Sequence, residues 1–232
     1  TREAVCDFEA SIGYLKRAVG YAEEVAPEKL SNLLVRMGKL ENRLGETDEA
    51  LSAHLEALKH TKGESEYKDI YYNIGLIYQK RGKYSDSTEY FNKAISSTQK
   101  RDSDYANTMN SLSYNLICSG QFDEAHKLLE EAFHIARSAE QSDLIIKILY
   151  NKAVLEWFRQ DYDKGVAIMD EALEIAQGMD SSYLRAKCLN LLASFYQQRG
   201  DFGKAVEIYN RAISLLELSS NINVLIGAMT NN

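Results

Sequence analysis

The sequence predicts an all-α protein made of stacked helical hairpins, and three observations support this prediction. Proline occurs once in 232 residues, at Pro27, and glycine only 13 times, whereas β-sandwiches and barrels need many tight turns that are rich in both. Alanine, leucine, glutamate and lysine, which favour helix, are frequent along the whole chain. A pattern of small and bulky residues also recurs five times, at intervals of 37 to 40 residues.

Each copy of the pattern contains one position at which a helix is expected to end, which we call the anchor. The five anchors are Gly45, Gly82, Gly120, Gln160 and Gly200. Glycine readily adopts the left-handed conformation that closes many helices. An Asp or Glu follows the anchor in three copies and can cap the next helix. We therefore expect every anchor to join two antiparallel helices.

Small residues recur at fixed distances from the anchor, and a bulky residue recurs between them. The position twelve after the anchor is alanine in every copy: Ala57, Ala94, Ala132, Ala172 and Ala212. The position nine after it is bulky: His54, Phe91, Leu129, Met169 and Tyr209. Small residues allow two helices to approach closely, and bulky ones fill the remaining space. One hairpin alone leaves its apolar face uncovered, so neighbouring hairpins are expected to stack.

This pattern resembles the tetratricopeptide repeat (TPR) family. The resemblance rests on Gly38 and Gly75 seven before the anchor, on Tyr78 and Tyr196 four before it, and on the later alanine, and it covers nearly the whole chain. It implies a right-handed superhelical solenoid whose first helices line a concave, ligand-binding groove. The period exceeds the usual ~34 residues, as in kinesin light chains, cell-polarity adaptors and bacterial peptide-sensing regulators.

Two features depart from the family pattern. The proline that commonly closes each repeat is absent. In the fourth repeat, Lys152 and Glu156 stand where apolar and tyrosine residues are usual.

One continuous array is expected to occupy residues 1–232. The boundaries are a half repeat at 1–27, five repeats at about 28–65, 66–102, 103–141, 142–180 and 181–220, and a half repeat at 221–232. Cys6, Phe8 and Ala18 reproduce the anchor and two later positions, which places a second helix at 8–25. A first helix is expected at 222–232. We interpret the half repeats as signs that the sequence belongs to a longer protein; natural capping helices are the alternative.

Charge and cysteine content limit the classes of partner. The formal net charge is −7, which disfavours nucleic acid. No apolar run approaches the ~20 residues of a membrane helix. Three distant cysteines, Cys6, Cys118 and Cys188, are an odd number without CxxC spacing, so we interpret them as free thiols of a reducing compartment. The prediction is a cytoplasmic protein whose partner is a protein or peptide, and neither nucleic acid nor membrane.

The sequence shows no pattern typical of catalysis or metal binding. His54 and His60 lie six residues apart, and His126 and His134 eight apart, instead of the four that places two ligands on one helix face. A glycine-rich phosphate loop, a nucleophile elbow and a Cys–His pair are also missing. His54 occupies the bulky position of its repeat and is expected to be buried. We predict no enzyme, no metal and no cofactor.

The inward positions of the first helices include one asparagine in each of repeats two to five. These are Asn73, Asn110, Asn151 and Asn190, nine or ten residues before their anchors. A carboxamide both donates and accepts, so a row of amides can pair with the backbone of an extended peptide. The alternative is that the amides bond between neighbouring helices and fix their spacing.

Charge is divided between the two helices of each repeat. The five predicted first helices contain 13 basic and 7 acidic residues, whereas the six predicted second helices contain 9 basic and 19 acidic ones. The first helices are expected at 28–44, 66–81, 103–119, 143–159 and 181–199, and the second helices at 8–25, 47–61, 84–98, 122–140, 162–178 and 202–219. The basic residues at inward positions include Arg36, Lys39, Arg43, Lys147 and Lys187. This excess favours an acidic ligand segment, although it also fits a solvated flank. Trp157, three before its anchor, is either an aromatic anchor for the ligand or a packing residue against the next repeat.

Two functions are consistent with these features. The first is a scaffold that holds a segment of a partner protein in the groove. The second is the sensory module of a regulator, in which a bound peptide shifts the superhelix between two pitches.

Overall fold

The computed structural model describes residues 2–179 and 181–218, and all regular structure within these ranges is helical. The helices are α1 (Arg2–Val25), α2 (Leu30–Leu44), α3 (Thr47–His60), α4 (Glu64–Lys80), α5 (Tyr84–Ser96), α6 (Ser103–Cys118), α7 (Phe122–Ser138), α8 (Ser142–Arg159), α9 (Tyr162–Gln177), α10 (Ser182–Gln198) and α11 (Phe202–Leu218). A 3₁₀ turn, Pro27–Lys29, precedes α2. The all-α prediction is confirmed. Among these helices, none combines the length and the apolar character needed to cross a membrane.

The helices pair as hairpins within two compact units, residues 2–100 and 101–218. In the first unit α2 pairs with α3 and α4 with α5, while α1 packs on α2 and α3 on α4. In the second unit the hairpins are α6–α7, α8–α9 and α10–α11, and α7 packs on α8 and α9 on α10. Each unit is therefore a stack of repeated hairpins. The first helices of the second unit also contact one another, α6 with α8 and α8 with α10.

The small-residue positions lie at the helix–helix contacts, as the sequence predicts. All five alanines twelve after the anchor are buried. A Cβ atom added to Gly38 would lie 2.9 Å from His54 Nε2, and one added to Gly75 would lie 2.6 Å from Phe91 Cε1. The small residue of each first helix thus makes room for the bulky residue of its partner. Exchange of the small residue for a larger one would push the hairpin apart.

Every anchor has a left-handed backbone. The φ angles are 92° at Gly45, 70° at Gly82, 76° at Gly120, 61° at Gln160 and 82° at Gly200. The predicted helix ends are therefore confirmed, including the one that lacks glycine. A residue with a Cβ atom is destabilised by about 1–2 kcal/mol in this conformation. The fold therefore imposes strain on Gln160.

The acidic residues after the anchors do not all cap the next helix. Asp161 Oδ1 accepts from the backbone N–H of Lys164, and Asp201 Oδ1 from that of Lys204, both at 3.2 Å. Glu46, directly before α3, forms no side-chain capping hydrogen bond. The expectation of capping is thus correct for aspartate and wrong for glutamate, whose longer side chain is a poorer match to this geometry.

The unusual residues of the fourth repeat are accommodated by charge pairing. Glu156 is 3% exposed, and Lys164 Nζ donates to its Oε1 at 2.6 Å. In the next repeat Tyr196 occupies the equivalent position, and Lys204 Nζ lies 2.7 Å from its Oη. A lysine eight residues later therefore pairs with the side chain at this position, whether that side chain is glutamate or tyrosine. Lys152 Nζ pairs with Glu130 at 2.8 Å and lies 4.6 Å from the Phe133 ring.

The ends of the chain are only partly described. The helix predicted at 8–25 is confirmed within α1, which begins earlier. The helix predicted at 222–232 and the side chain of Cys6 lie outside what the structure describes. Cys118 and Cys188 are free thiols.

Candidate peptide-binding surfaces

Asn110 and Asn151 join two first helices of the 101–218 unit. Asn151 Nδ2 donates to Asn110 Oδ1 at 2.9 Å and to the Asn110 backbone carbonyl at 3.1 Å. Both side chains are buried, at 6% and 9% exposure. The pair connects α6 to α8 across 41 residues of sequence. This contact matches the alternative in which the amides fix the spacing of helices.

The other two asparagines have different surroundings. Asn73, in the 2–100 unit, is buried and donates to the Asp69 carbonyl of its own helix at 2.6 Å. Asn190, on α10, is half-buried, and none of the hydrogen bonds formed by the described residues involves its carboxamide. The four amides therefore have different surroundings, and their role in binding a peptide stays a prediction. Asn190 alone keeps a carboxamide open to a ligand.

Lys187 on α10 lies beside Asn190 and above an aromatic ring of the neighbouring first helix. Its Nζ is 4.2 Å from the ring centroid of Tyr150 on α8, a favourable cation–π distance. Burial lowers the pKa of Lys187; Cys188 opposes this shift and Lys147 adds to it. Among the described residues no carboxylate acts on this ammonium group. Within the part of the chain that the structure describes, this half-buried cation therefore has no anionic partner.

Tyr150 and Lys147 complete this surface. Burial raises the pKa of Tyr150 to about 12, so its phenol remains a hydrogen-bond donor at neutral pH. Lys147 is exposed and lies one helical turn from Tyr150, as Lys187 does from Asn190. Both lysines are thirteen residues before their anchors. We call Lys147, Tyr150, Lys187 and Asn190 the lysine–tyrosine surface. Tyr150 was not among the site residues predicted from the sequence. Its position ten before the anchor, which Asn110 and Asn190 share in their repeats, was the signal that could have identified it.

Trp157 is a packing residue. Its ring centroid lies 5.4 Å from Phe195 of α10 and 5.8 Å from Tyr162 of α9. These ring contacts agree with the packing alternative, and a contact between Trp157 and a ligand stays a prediction. The neighbouring Phe158 is 49% exposed, with Phe122 at 6.2 Å between centroids.

A second surface lies in the 2–100 unit, between α1 and α2. It is a groove of about 480 Å³ lined by Ser11, Tyr14, Leu15, Arg36, Lys39, Leu40 and Arg43. Arg36, Lys39 and Arg43 are three and four residues apart, which places them on one face of α2. All three are exposed, and none of the described residues that line the groove is acidic. We call it the basic groove.

Comparisons with known proteins agree with the fold. The model of the family described as tetratricopeptide repeat matches residues 67–138 and 144–217, more than half of the chain. No protein of curated function matches the sequence significantly.

Several solved structures are similar to this one. BtubC from P. vanneervenii is 20% identical, with 92% of each chain covered and a TM-score of 0.74. A Rap protein complexed with competence and sporulation factor is 17% identical, with 94% of this chain and 67% of that chain covered and a TM-score of 0.76. A Podosopora anserina kinesin light chain with nearly identical TPR-like repeats is 16% identical, with 84% of this chain and 98% of that chain covered and a TM-score of 0.62. At such identities the likeness is one of fold, and together with the family match it leads to one conclusion: the chain belongs to the tetratricopeptide repeat family.

Proposed function

We propose that this protein is a non-catalytic interaction module that holds an extended, acidic segment of a partner protein against helices α8 and α10. The tetratricopeptide repeat is in general a non-enzymatic scaffold for protein interactions. The observation that supports an acidic ligand is the ammonium group of Lys187, which lies on Tyr150 without a carboxylate partner among the described residues. A carboxylate from a ligand would compensate this partly desolvated charge, and charge-assisted hydrogen bonds are among the strongest.

The neighbouring groups suit a peptide that runs across the two helices. Lys147 supplies a second cation one repeat away, and Tyr150 supplies a phenol that stays protonated. The half-buried Asn190 carboxamide can donate to and accept from a peptide backbone. Asn110 and Asn151 contribute indirectly, because their hydrogen bond sets the spacing of α6 and α8.

A sensory module is the second candidate. The similar Rap protein was solved in complex with competence and sporulation factor, which favours a role in which a bound peptide changes the state of a larger protein. Such a role needs the ligand to shift an equilibrium between two conformations. Hydrogen exchange with and without ligand separates the two functions: protection confined to α8 and α10 indicates a scaffold, and changes along the whole 101–218 unit indicate a sensor.

The experiment is a binding screen followed by a matched pair of variants. Labelled 12-residue peptides with zero, two or four Asp or Glu residues are titrated by fluorescence anisotropy. We expect acidic peptides to bind and Lys187→Met to weaken the best binder about ten- to hundredfold, since a hydrogen bond to a charged group contributes about 1.5–3 kcal/mol. Lys127→Met, which changes an exposed lysine of α7, is the control and should leave binding unchanged. Equal affinities for neutral and acidic peptides would contradict the proposal.

A further inference from the structure

Four lysines in the described part of the chain hold their side-chain nitrogen over an aromatic ring, and Lys187 differs from the other three. Its Nζ lies 4.2 Å from the ring centroid of Tyr150, and within residues 2–179 and 181–218 no ion pair or hydrogen bond involves it. Each of the other three also has an oxygen partner at 2.6 to 2.8 Å: Lys93 with Glu89, Lys152 with Glu130, and Lys204 with Tyr196. Of these four lysines, only Lys187 therefore has a nitrogen that no oxygen atom engages.

The surroundings of Lys187 favour the neutral amine. The side chain is half-buried on Tyr150, which partly removes it from water, and Lys147 adds a like charge. Cys188 acts in the opposite direction only as a thiolate, and burial raises the pKa of this thiol to about 11, so it is uncharged at neutral pH. The pKa of Lys187 is lowered, whereas a hydrogen bond raises that of Lys204. A larger share of the Lys187 amine than usual is therefore neutral and carries a free electron pair.

The charge around Lys187 determines which reagent reaches the amine. A neutral lysine is a nucleophile toward activated acyl groups. Lys147 is exposed beside it, and Tyr150 adds no negative charge, because burial raises the pKa of its phenol to about 12. A positive field of this kind raises the local concentration of anions. Acyl phosphates combine a reactive carbonyl carbon with negative charge, so they suit this surface better than neutral acyl donors.

We propose that Lys187 is the preferred acylation site of this chain and that it accepts acyl groups from acyl phosphates. Its Nζ forms a bond to the carbonyl carbon, and the bond from that carbon to the phosphate oxygen breaks. Inorganic phosphate leaves with the electron pair of that bond, and the proton of the amine passes to solvent. The resulting amide has lost its positive charge and its cation–π contact with Tyr150.

Acylation in this way controls the lysine–tyrosine surface. An amide at Lys187 no longer attracts the carboxylate of an acidic segment, and a bound carboxylate holds the group as an ammonium that cannot attack an acyl donor. Acylation and ligand binding therefore exclude each other. This consequence rests on the proposed function, whereas the modification itself does not.

Acetylation kinetics resolved by residue test the modification. The protein is incubated with acetyl phosphate at pH 8, and the acetylated fraction of each lysine is followed by mass spectrometry of proteolytic peptides. We expect Lys187 to react at least about fivefold faster than Lys127, an exposed lysine of α7, because each unit by which a pKa falls raises the neutral fraction about tenfold. An equal or lower rate at Lys187 would overturn the proposal.

A neutral reagent and a variant test the role of the neighbouring charge. The preference for Lys187 over Lys127 should be smaller with N-acetylimidazole, which is uncharged, than with acetyl phosphate. Lys147→Gln should slow the reaction of Lys187 with acetyl phosphate and leave that of Lys127 unchanged. Equal preference with both reagents, or an unchanged rate at Lys187 in the variant, would overturn the assignment to acyl phosphates.

Peptide binding after acetylation tests the consequence. Treatment with acetyl phosphate, stopped when Lys187 is largely modified, should weaken binding of the acidic 12-residue peptides about tenfold or more. Lys187→Arg keeps the charge without the reactive amine, so the same treatment should not change the affinity of this variant. An equal loss in both proteins would overturn the assignment to Lys187. If the acidic peptides do not bind the untreated protein, the proposed function fails, and the rates at Lys187 and Lys127 still decide whether Lys187 is the acylation site.

Discussion

Replacement of His54 by phenylalanine is expected to stabilise the protein and to reduce its sensitivity to acid. The imidazole is 0% exposed, and neither ring nitrogen has a hydrogen-bond partner. Burial, with a smaller contribution from Lys39, lowers the pKa of His54 from 6.5 to about 4. An unsatisfied buried polar group costs about 1–3 kcal/mol. A phenyl ring fits this position, since Phe91 fills the equivalent one against Gly75 in the next repeat.

The pH dependence follows from the two states of the imidazole. The unfolded chain takes up the proton near pH 6.5, and the folded chain only near pH 4. The free energy of unfolding is therefore highest above pH 6.5 and falls as the pH decreases from 6.5 to 4. The full loss is about 3 kcal/mol, of which about 2 kcal/mol is reached by pH 5.

Urea denaturation followed by circular dichroism at pH 7.5 and pH 5 measures both effects. We expect His54→Phe to raise the free energy of unfolding by about 1–2 kcal/mol at pH 7.5, and its advantage to grow by about 2 kcal/mol at pH 5. His134→Phe, which changes an exposed histidine of α7, is the control and should follow the wild type at both pH values. If the free energies of unfolding of His54→Phe and wild type differed by the same amount at pH 7.5 and pH 5, the reasoning would be refuted.

Three further substitutions give independent checks by urea denaturation or thermal melting. Gln160→Gly should stabilise the protein by about 1 kcal/mol, because glycine adopts the left-handed backbone without strain; equal or lower stability would show that Gln160 is unstrained. Lys164→Met should lower the free energy of unfolding by about 2 kcal/mol, since it removes the closest partner of the buried Glu156 carboxylate. Glu156→Tyr, which introduces the residue of the next repeat, should lower it by less. The opposite order of the two losses would contradict the pairing. Asn151→Ala should lower the Tm and Asn190→Ala should not, because only Asn151 bonds between helices; equal effects would show that the two amides have the same role.

The sequence predicted the helical hairpins because their determinants are local. A helix end depends on one residue that tolerates a left-handed backbone, and the contact between two paired helices depends on small residues at the correct distance from that end. Gln160 shows the strength of this information. Its spacing alone marked it as an anchor, and its backbone is left-handed despite its side chain.

The candidate sites were less predictable, and Asn110, Asn190 and Trp157 show why. Spacing along the chain placed these residues at inward positions, yet one bonds to Asn151, one is left open and one packs on Phe195. Periodicity determines which face of a helix a residue occupies. Hydrogen bonds and ring contacts also depend on the axial shift and rotation of one helix against another. A movement of one or two ångströms in the side-chain atoms is enough to change the partner of a hydrogen bond. The sequence by itself therefore determined the repeats and the order of their helices, and only the tertiary structure decided that Lys187 lies on Tyr150 without a carboxylate partner among the described residues.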